Sequence, residues 1–511
     1  MSMFATSVRG SSWRSVLSRH DLVRNPHRQR RPHPRRRTLI VSVRIRPAKA
    51  SGNNTASISY VRPDNRLALM DHGLFTQHHA VGRNLVIQCA WVYEHPIDFD
   101  SVRRFHRNLS HGLLGRRIER SPLPFGWHRW VLHREAATFD IEQSARPRAE
   151  LGDWFDERSQ LPIDPVAGPG WHLGVLPLQD GSTAVSLVAS HYLIDGLGLV
   201  VALVDGIVGN TRDLDYPPPG SRRRLRAMAQ DTRATVRDTP EVARALRLAA
   251  RMARQQRNGV SQSPSPRPAP RRDGTRAGAG EDAIVVPGIT IRIDRDDWDA
   301  RAAALGGTSK ALTAGFAAKL GENLGRGRAS DGAVTLQLPV SNRVDGDTRA
   351  NAMSIARVSV DPTGVTTDLG DIRAAIKQAL KTVREKEDES LQLAWLLPFT
   401  PKRALRRMDD AMVADPDHPV FCSDLGDVGS VVNRLDGTDA EYATARVTAQ
   451  RETRQWLERT GGQLILQSLR IPSSIIISVD AYQPGAENTK PALREVAART
   501  LAEFGLSGRI E

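Results

Sequence analysis

The stretch Ser261-Gln262-Ser263-Pro264-Ser265-Pro266-Arg267-Pro268-Ala269-Pro270 carries four prolines and no large apolar side chain. Such a run cannot bury a core, so it divides the chain into two regions that must each fold around their own. It ends a longer connector, 216–283, which opens with Tyr216-Pro217-Pro218-Pro219-Gly220 and continues through Arg-rich sequence with the spacing of one or two helices over 221–257. A chain of 511 residues also outgrows one ordinary core. The expected division is a disordered basic tail at 1–57, an N-terminal lobe at 58–215, the connector at 216–283 and a C-terminal lobe at 284–511.

Both lobes read as α/β. In the first, residues 84–93 are rich in β-formers and read as a strand, and 98–109 have helical spacing with Asp98 or Asp100 as cap. Strands at 171–178 and 183–190 flank Asp180-Gly181, the signature of a tight hairpin turn. A helix follows from Gly196 to about Val208. In the second lobe, strands are expected near 288–293, 333–340, 356–360, 463–470 and 474–482, with helices near 297–305, 309–324, 370–385 and 491–504.

The formal net charge of +15 suggests nucleic acid until it is located. Residues 1–50 hold twelve Arg, one Lys and one Asp, which leaves only about +3 for the rest. The tail lacks aromatic interleaving, so no nucleic-acid partner is expected, and membrane contact is expected to be peripheral at most. No run of about 18 apolar residues is present. Two cysteines, Cys89 and Cys422, supply neither a disulfide framework nor a thiolate metal site, and fit a reducing, cytoplasmic setting. No bound metal is expected; His78-His79 reads as a loop without a third ligand in reach. Trp91, Trp127 and Trp130 read as core or tunnel wall.

The chemistry-bearing segment is Ser190-His191-Tyr192-Leu193-Ile194-Asp195-Gly196. A histidine at the end of a buried strand sits at the mouth of a cleft, and its ordinary pKa suits proton abstraction near neutrality. Asp195 shapes the loop, and Gly196 permits a turn or a close backbone approach.

His191-x-x-x-Asp195-Gly196 is similar to the H-x-x-x-D-G signature of the condensation-domain-like acyltransferases. These include nonribosomal peptide condensation domains, wax ester synthase/diacylglycerol acyltransferases, polyketide-associated acyltransferases and the plant BAHD enzymes. Further segments resemble the family's in the same order: Pro169 to Leu176 before the motif, Thr308 to Gly315, Leu338-Pro339-Val340-Ser341-Asn342-Arg343 with Asn351, and Val420 to Gly426. Many relatives carry two adjacent histidines with the second as base; here the first is Ser190. The resemblance spans roughly 65–510. It implies two chloramphenicol-acetyltransferase-like lobes with a tunnel at their interface.

It also implies an acyltransferase of lipid or secondary metabolism. Such an enzyme moves an acyl group from acyl-CoA or an acyl carrier protein, as co-substrate, to a hydroxyl or amine, with no bound cofactor. His191 would be the general base and the Gly196 N–H an oxyanion donor. Ser190 and Ser423 would contact substrate, and Asp195 would pair with Arg343 as a loop lock. A catalytically inactive binding or scaffold protein of the same fold is the alternative.

Overall fold

The computed structural model describes residues 65–135, 137–259, 282–405, 407 and 415–511. The basic tail at 1–57 and the proline run at 261–270 lie outside the described residues.

Two mixed sheets carry the fold. The first has five strands in the order Tyr442–Gln450, Asn84–Tyr93, Thr183–Ser190, Trp171–Pro177 and Thr138–Ile141. Its central strand, Thr183–Ser190, is buried at every position, as a strand covered on both faces must be. The Trp171–Pro177 and Thr183–Ser190 pair closes at Asp180-Gly181. Gly181 takes φ +86° there, and Asp180 Oδ1 accepts the Ser182 N–H at 3.0 Å. Helices Phe99–Leu109 and Gly196–Val208 pack against each other, and Leu151–Gln160 packs on Asn84–Tyr93, Thr183–Ser190 and Tyr442–Gln450. Asp98 caps the Phe99–Leu109 helix by accepting from the Asp100 N–H.

The second sheet has seven strands in the order Met353–Val360, Val334–Ser341, Val420–Asp427, Gln463–Arg470, Ser474–Tyr482, Gly288–Asp294 and Arg509–Ile510. Val420–Asp427 runs parallel to both neighbours; the other pairs are antiparallel. Helices Ser309–Asn323 and Lys490–Glu503 supply buried residues to its core. Each sheet thus has a core of its own. The connector forms two helices, Arg224–Arg237 and Thr239–Gly259, the second packed on Gly370–Ala394.

One expectation fails at the level of the sheets. Residues 442–450 belong to the second lobe by sequence, yet they add an edge strand to the first sheet, pairing with Asn84–Tyr93 from Asn84↔Gln450 to Val92↔Tyr442. Polar contacts hold the strand. Arg446 donates to Gln88 Oε1 at 2.7 Å and Asp156 at 2.7 Å, and Gln450 donates to Ser159 O at 2.8 Å. The C-terminal half therefore reaches across and locks onto the N-terminal lobe. Cys89 and Cys422 are free and buried, and burial pushes the Cys89 thiol up to about 12.

Candidate active site

The central strand ends at Ser190 and hands the chain to a tight turn. The His191 N–H still donates to Leu85 O at 2.9 Å, so the residue is held at the end of the sheet ladder. Leu193 N closes the turn on Ser190 O at 3.0 Å. Tyr192 is buried beneath it; its hydroxyl donates to Arg83 O at 3.0 Å and lies 3.1 Å from His78 Nδ1. The loop then enters the Gly196–Val208 helix, whose N-cap is Asp195. Asp195 Oδ1 accepts the Gly198 N–H at 2.7 Å, an ordinary cap bond.

The same carboxylate reaches the second lobe. Arg343 lies 2.8 Å from Asp195 Oδ1, and the Ala352 N–H donates to Oδ2 at 2.9 Å. The Asp195 N–H donates to Ala350 O at 2.8 Å. Arg343 also donates to the carbonyls of Asp347, Arg349 and Ala350 at 3.1–3.3 Å. Asn351 adds a bond from its Nδ2 to His191 O at 3.3 Å. His191 is thus anchored at its N–H by the first sheet and at its carbonyl by the second lobe.

Two further groups grip residues 348–351. Asp71, on the helix Leu69–Val81, accepts the N–H groups of Ala350 at 2.9 Å and Asn351 at 2.7 Å. Arg116 donates to Leu193 O at 2.8 Å and to Thr348 O, with its guanidinium 4.1 Å from the Trp130 ring. Neither was foreseen. Asp71 carries no local motif, and its partners lie about 280 residues away.

Burial lowers the His191 pKa below its ordinary value, opposed by its own backbone carbonyl, the Asp195 carboxylate and the Asn351 side chain. The imidazole is therefore neutral at pH 7, the form that accepts a proton. Its Nδ1 is buried without a hydrogen bond of normal geometry. His78 is pushed down to about 3 by burial, Arg83 and His191, so it adds no charge beside the site. Burial raises the Asp71 carboxyl against its two backbone donors, and it lowers Arg116 against Tyr216 and Asp71.

The remaining predicted residues divide. Gly196 stands at a close approach: a Cβ there would lie 2.8 Å from Leu425 Cδ2. Ser423 is half-buried on the strand that carries Leu425 and, two residues away, shares its face. That face turns toward the first lobe: Leu425 packs against the first core, whereas Cys422, on the other face of the strand, belongs to the second. Ser190, expected at substrate, is completely buried, and its hydroxyl accepts the Tyr192 N–H at 3.4 Å. It shapes the turn instead. His78 and His79 are not in a loop but in the last turn of the Leu69–Val81 helix, where Gly82 at φ +81° ends it. Trp91, Trp127 and Trp130 are buried.

Two cavities open at the lobe junction. One of about 360 Å³ is lined from both sheets by Gln88, Tyr442, Thr290 and Arg509. The other, of about 1030 Å³, is lined by Asn351 beside the His191 loop and by Leu69, Met70, Met353, Ile355 and Val383. Among the described residues, no group of three His, Cys, Asp or Glu is placed to hold a metal. None of their helices is long and apolar enough to cross a membrane.

No protein-family model matches the chain, and no curated protein matches it. Solved structures do. F. sporotrichioides TRI101, complexed with coenzyme A and T-2, superposes with a TM-score of 0.53 at 11% identity, covering 88% of this chain and 100% of that one. The first condensation domain of the calcium-dependent antibiotic synthetase, in complex with a substrate analogue, gives 0.51 at 15% identity, covering 86% of this chain and 96% of that one. The fold is that of the condensation-domain-like acyltransferases. Its two chloramphenicol-acetyltransferase-like lobes are the two sheets described above. At these identities the likeness is one of fold.

Proposed function

We propose that the chain transfers an acyl group from a CoA or carrier-protein thioester to a hydroxyl or amine, with His191 as general base. The observation that carries this reading is the two-sided anchoring of a neutral, half-buried histidine at the junction of the lobes. The acceptor approaches the one ring nitrogen that Nδ1 burial leaves, Nε2. As its oxygen or nitrogen bonds to the thioester carbonyl carbon, its proton passes to His191. The C–S bond then breaks, and the imidazolium returns the proton to the departing thiolate. The N–H groups at the start of the Gly196–Val208 helix supply positive potential for the oxyanion, with Gly196 the nearest candidate. Asp195 and Arg343 act as positioning residues that hold the loop.

The TRI101 structure carries coenzyme A, which supports a CoA thioester as donor; a carrier-bound thioester offers the same reacting carbonyl. The apolar lining of the 1030 Å³ cavity favours an acyl chain or an apolar acceptor over a charged one. The tunnel implied by the family runs, on this reading, from that cavity past Asn351 to His191. The test is incubation with acyl-CoAs of graded length and a panel of alcohols and amines, with mass spectrometry of products. Ester or amide with stoichiometric free thiol is the expected result. Folded protein that binds thioesters but turns none over would favour the inactive binding protein.

A further inference from the structure

The connector helices Arg224–Arg237 and Thr239–Gly259 carry an exposed surface that the acyl-transfer reading does not use. Leu225 is 80% exposed, Val236 66% and Leu246 56%, which places them among the most exposed large apolar side chains of the described residues. Leu225, Met228 and Val236 fall on one face of the first helix at spacings of three and eight, opposite the buried Ala227 and Asp231. Nine arginines between 223 and 254 are all exposed. The three acids in that span, Asp231, Asp238 and Glu241, are already engaged by Arg129 and Arg222, by Arg66 and by Arg244. Arg244, Arg247, Arg251 and Arg254 repeat at three and four residues along the solvent side of the second helix.

On another flank of the first helix lies a cavity of about 790 Å³ lined by Arg66, Arg129, Arg222, Arg226, Arg233 and Arg237. Arg226 and Arg233 form no ion pair among the described residues. Aliphatic side chains standing in solvent, flanked by unneutralised arginines, fit one surface chemically: apolar matter beneath a sheet of negative charge. We propose that this helix pair docks on an anionic phospholipid bilayer. Leu225, Met228 and Val236 would enter the acyl boundary, while the arginines and their cavity would receive headgroup phosphates.

Charge argues against the other occupants. The chain's own segments outside the described residues are themselves basic: 1–50 carries net +12, and 260–281 has four arginines against two acids. RNA is disfavoured because residues 217–259 contain no aromatic side chain for base stacking. The proposal does not depend on the role of His191.

The test uses the full chain in flotation with vesicles of phosphatidylcholine alone or mixed with phosphatidylglycerol. Binding to the mixed vesicles and not to the neutral ones is expected, falling as salt is raised. Arg247→Gln/Arg251→Gln/Arg254→Gln should weaken it by about 100-fold, about fivefold per arginine. Leu225→Gln/Val236→Gln, which removes no charge, should weaken it by about tenfold or more. Both variants alter exposed positions, and each should keep the wild-type circular dichroism melt. Vesicle binding unchanged in both variants would overturn the proposal by placing the lipid contact elsewhere. Failure to bind anionic vesicles while capturing RNA or an acidic carrier protein would also overturn it.

Discussion

Asp71 and Asp195 are two buried carboxylates that grip the same segment, residues 350–352, from two different elements of the first lobe. Asp195 meets a full counter-charge, Arg343 at 2.8 Å, as well as two backbone N–H groups. Asp71 meets two backbone N–H groups and the Asn351 amide, and Arg116 acts on it only electrostatically. Burial consequently dominates at Asp71 and raises its pKa. The difference separates two ways of joining lobes. A hydrogen-bonded carboxylate can pin a backbone by itself, whereas a counter-ion ties the pin to a second element. The paired clamp sits on the loop of His191, and the other sits on the helix Leu69–Val81.

Breaking the paired clamp should have the larger effect. Asp195→Ala leaves Arg343 buried beside its carbonyls without its carboxylate, and strands the N–H groups of Gly198 and Ala352. It should destabilise the fold by about 3–5 kcal/mol in denaturant titration. Turnover should fall by about 100-fold through misplacement of the His191 loop. Asp71→Asn keeps one acceptor of two and presents an amide donor to a backbone N–H; about 1–3 kcal/mol is expected. Stability against pH sharpens the contrast. Because the folded Asp71 pKa is raised, its contribution is present below the ordinary carboxylate range and is lost as pH rises through the raised value. Asp71→Asn should flatten that component of the profile, and an unchanged profile would remove Asp71 as its source.

A smaller effect is expected where the loop meets the second lobe without charge. Gly196→Ala places a methyl 2.8 Å from Leu425 Cδ2 and should cost about 1–3 kcal/mol by overpacking. Leu425→Ala in the same chain should recover part of the lost stability, and a purely additive double variant would show that the contact is not the cause. The smallest effect is on pH dependence. The lowered His191 pKa predicts that kcat/KM stays flat through neutrality and falls only as pH drops through a value below 6.5. An inflection above 6.5 would contradict the desolvation of His191 at the lobe junction.

Much of this was legible where apolar pattern and position coincide. The strands 84–93 and 183–190 and the helix from Gly196 declare themselves by continuous apolar runs and a capping Asp. The Asp195–Arg343 contact could be anticipated only from the order of motif segments, since periodicity does not connect residues so far apart. Strand 442–450 stayed hidden because Tyr-Ala-Thr-Ala-Arg-Val-Thr-Ala-Gln is small and polar. Its burial comes from side-chain hydrogen bonds at the lobe junction, such as Thr444 to Ser478 at 2.7 Å. Ser190 was misread for a related reason: adjacency to His191 in sequence is not exposure, and alternation turns its side chain into the sheet.

The most direct test of the central claim is kcat/KM for thioester consumption by wild type and His191→Ala, measured on the acceptor that the product screen identifies. A loss of about 10²–10⁴-fold is expected, with the variant still folded. Undiminished turnover in His191→Ala would contradict the claim.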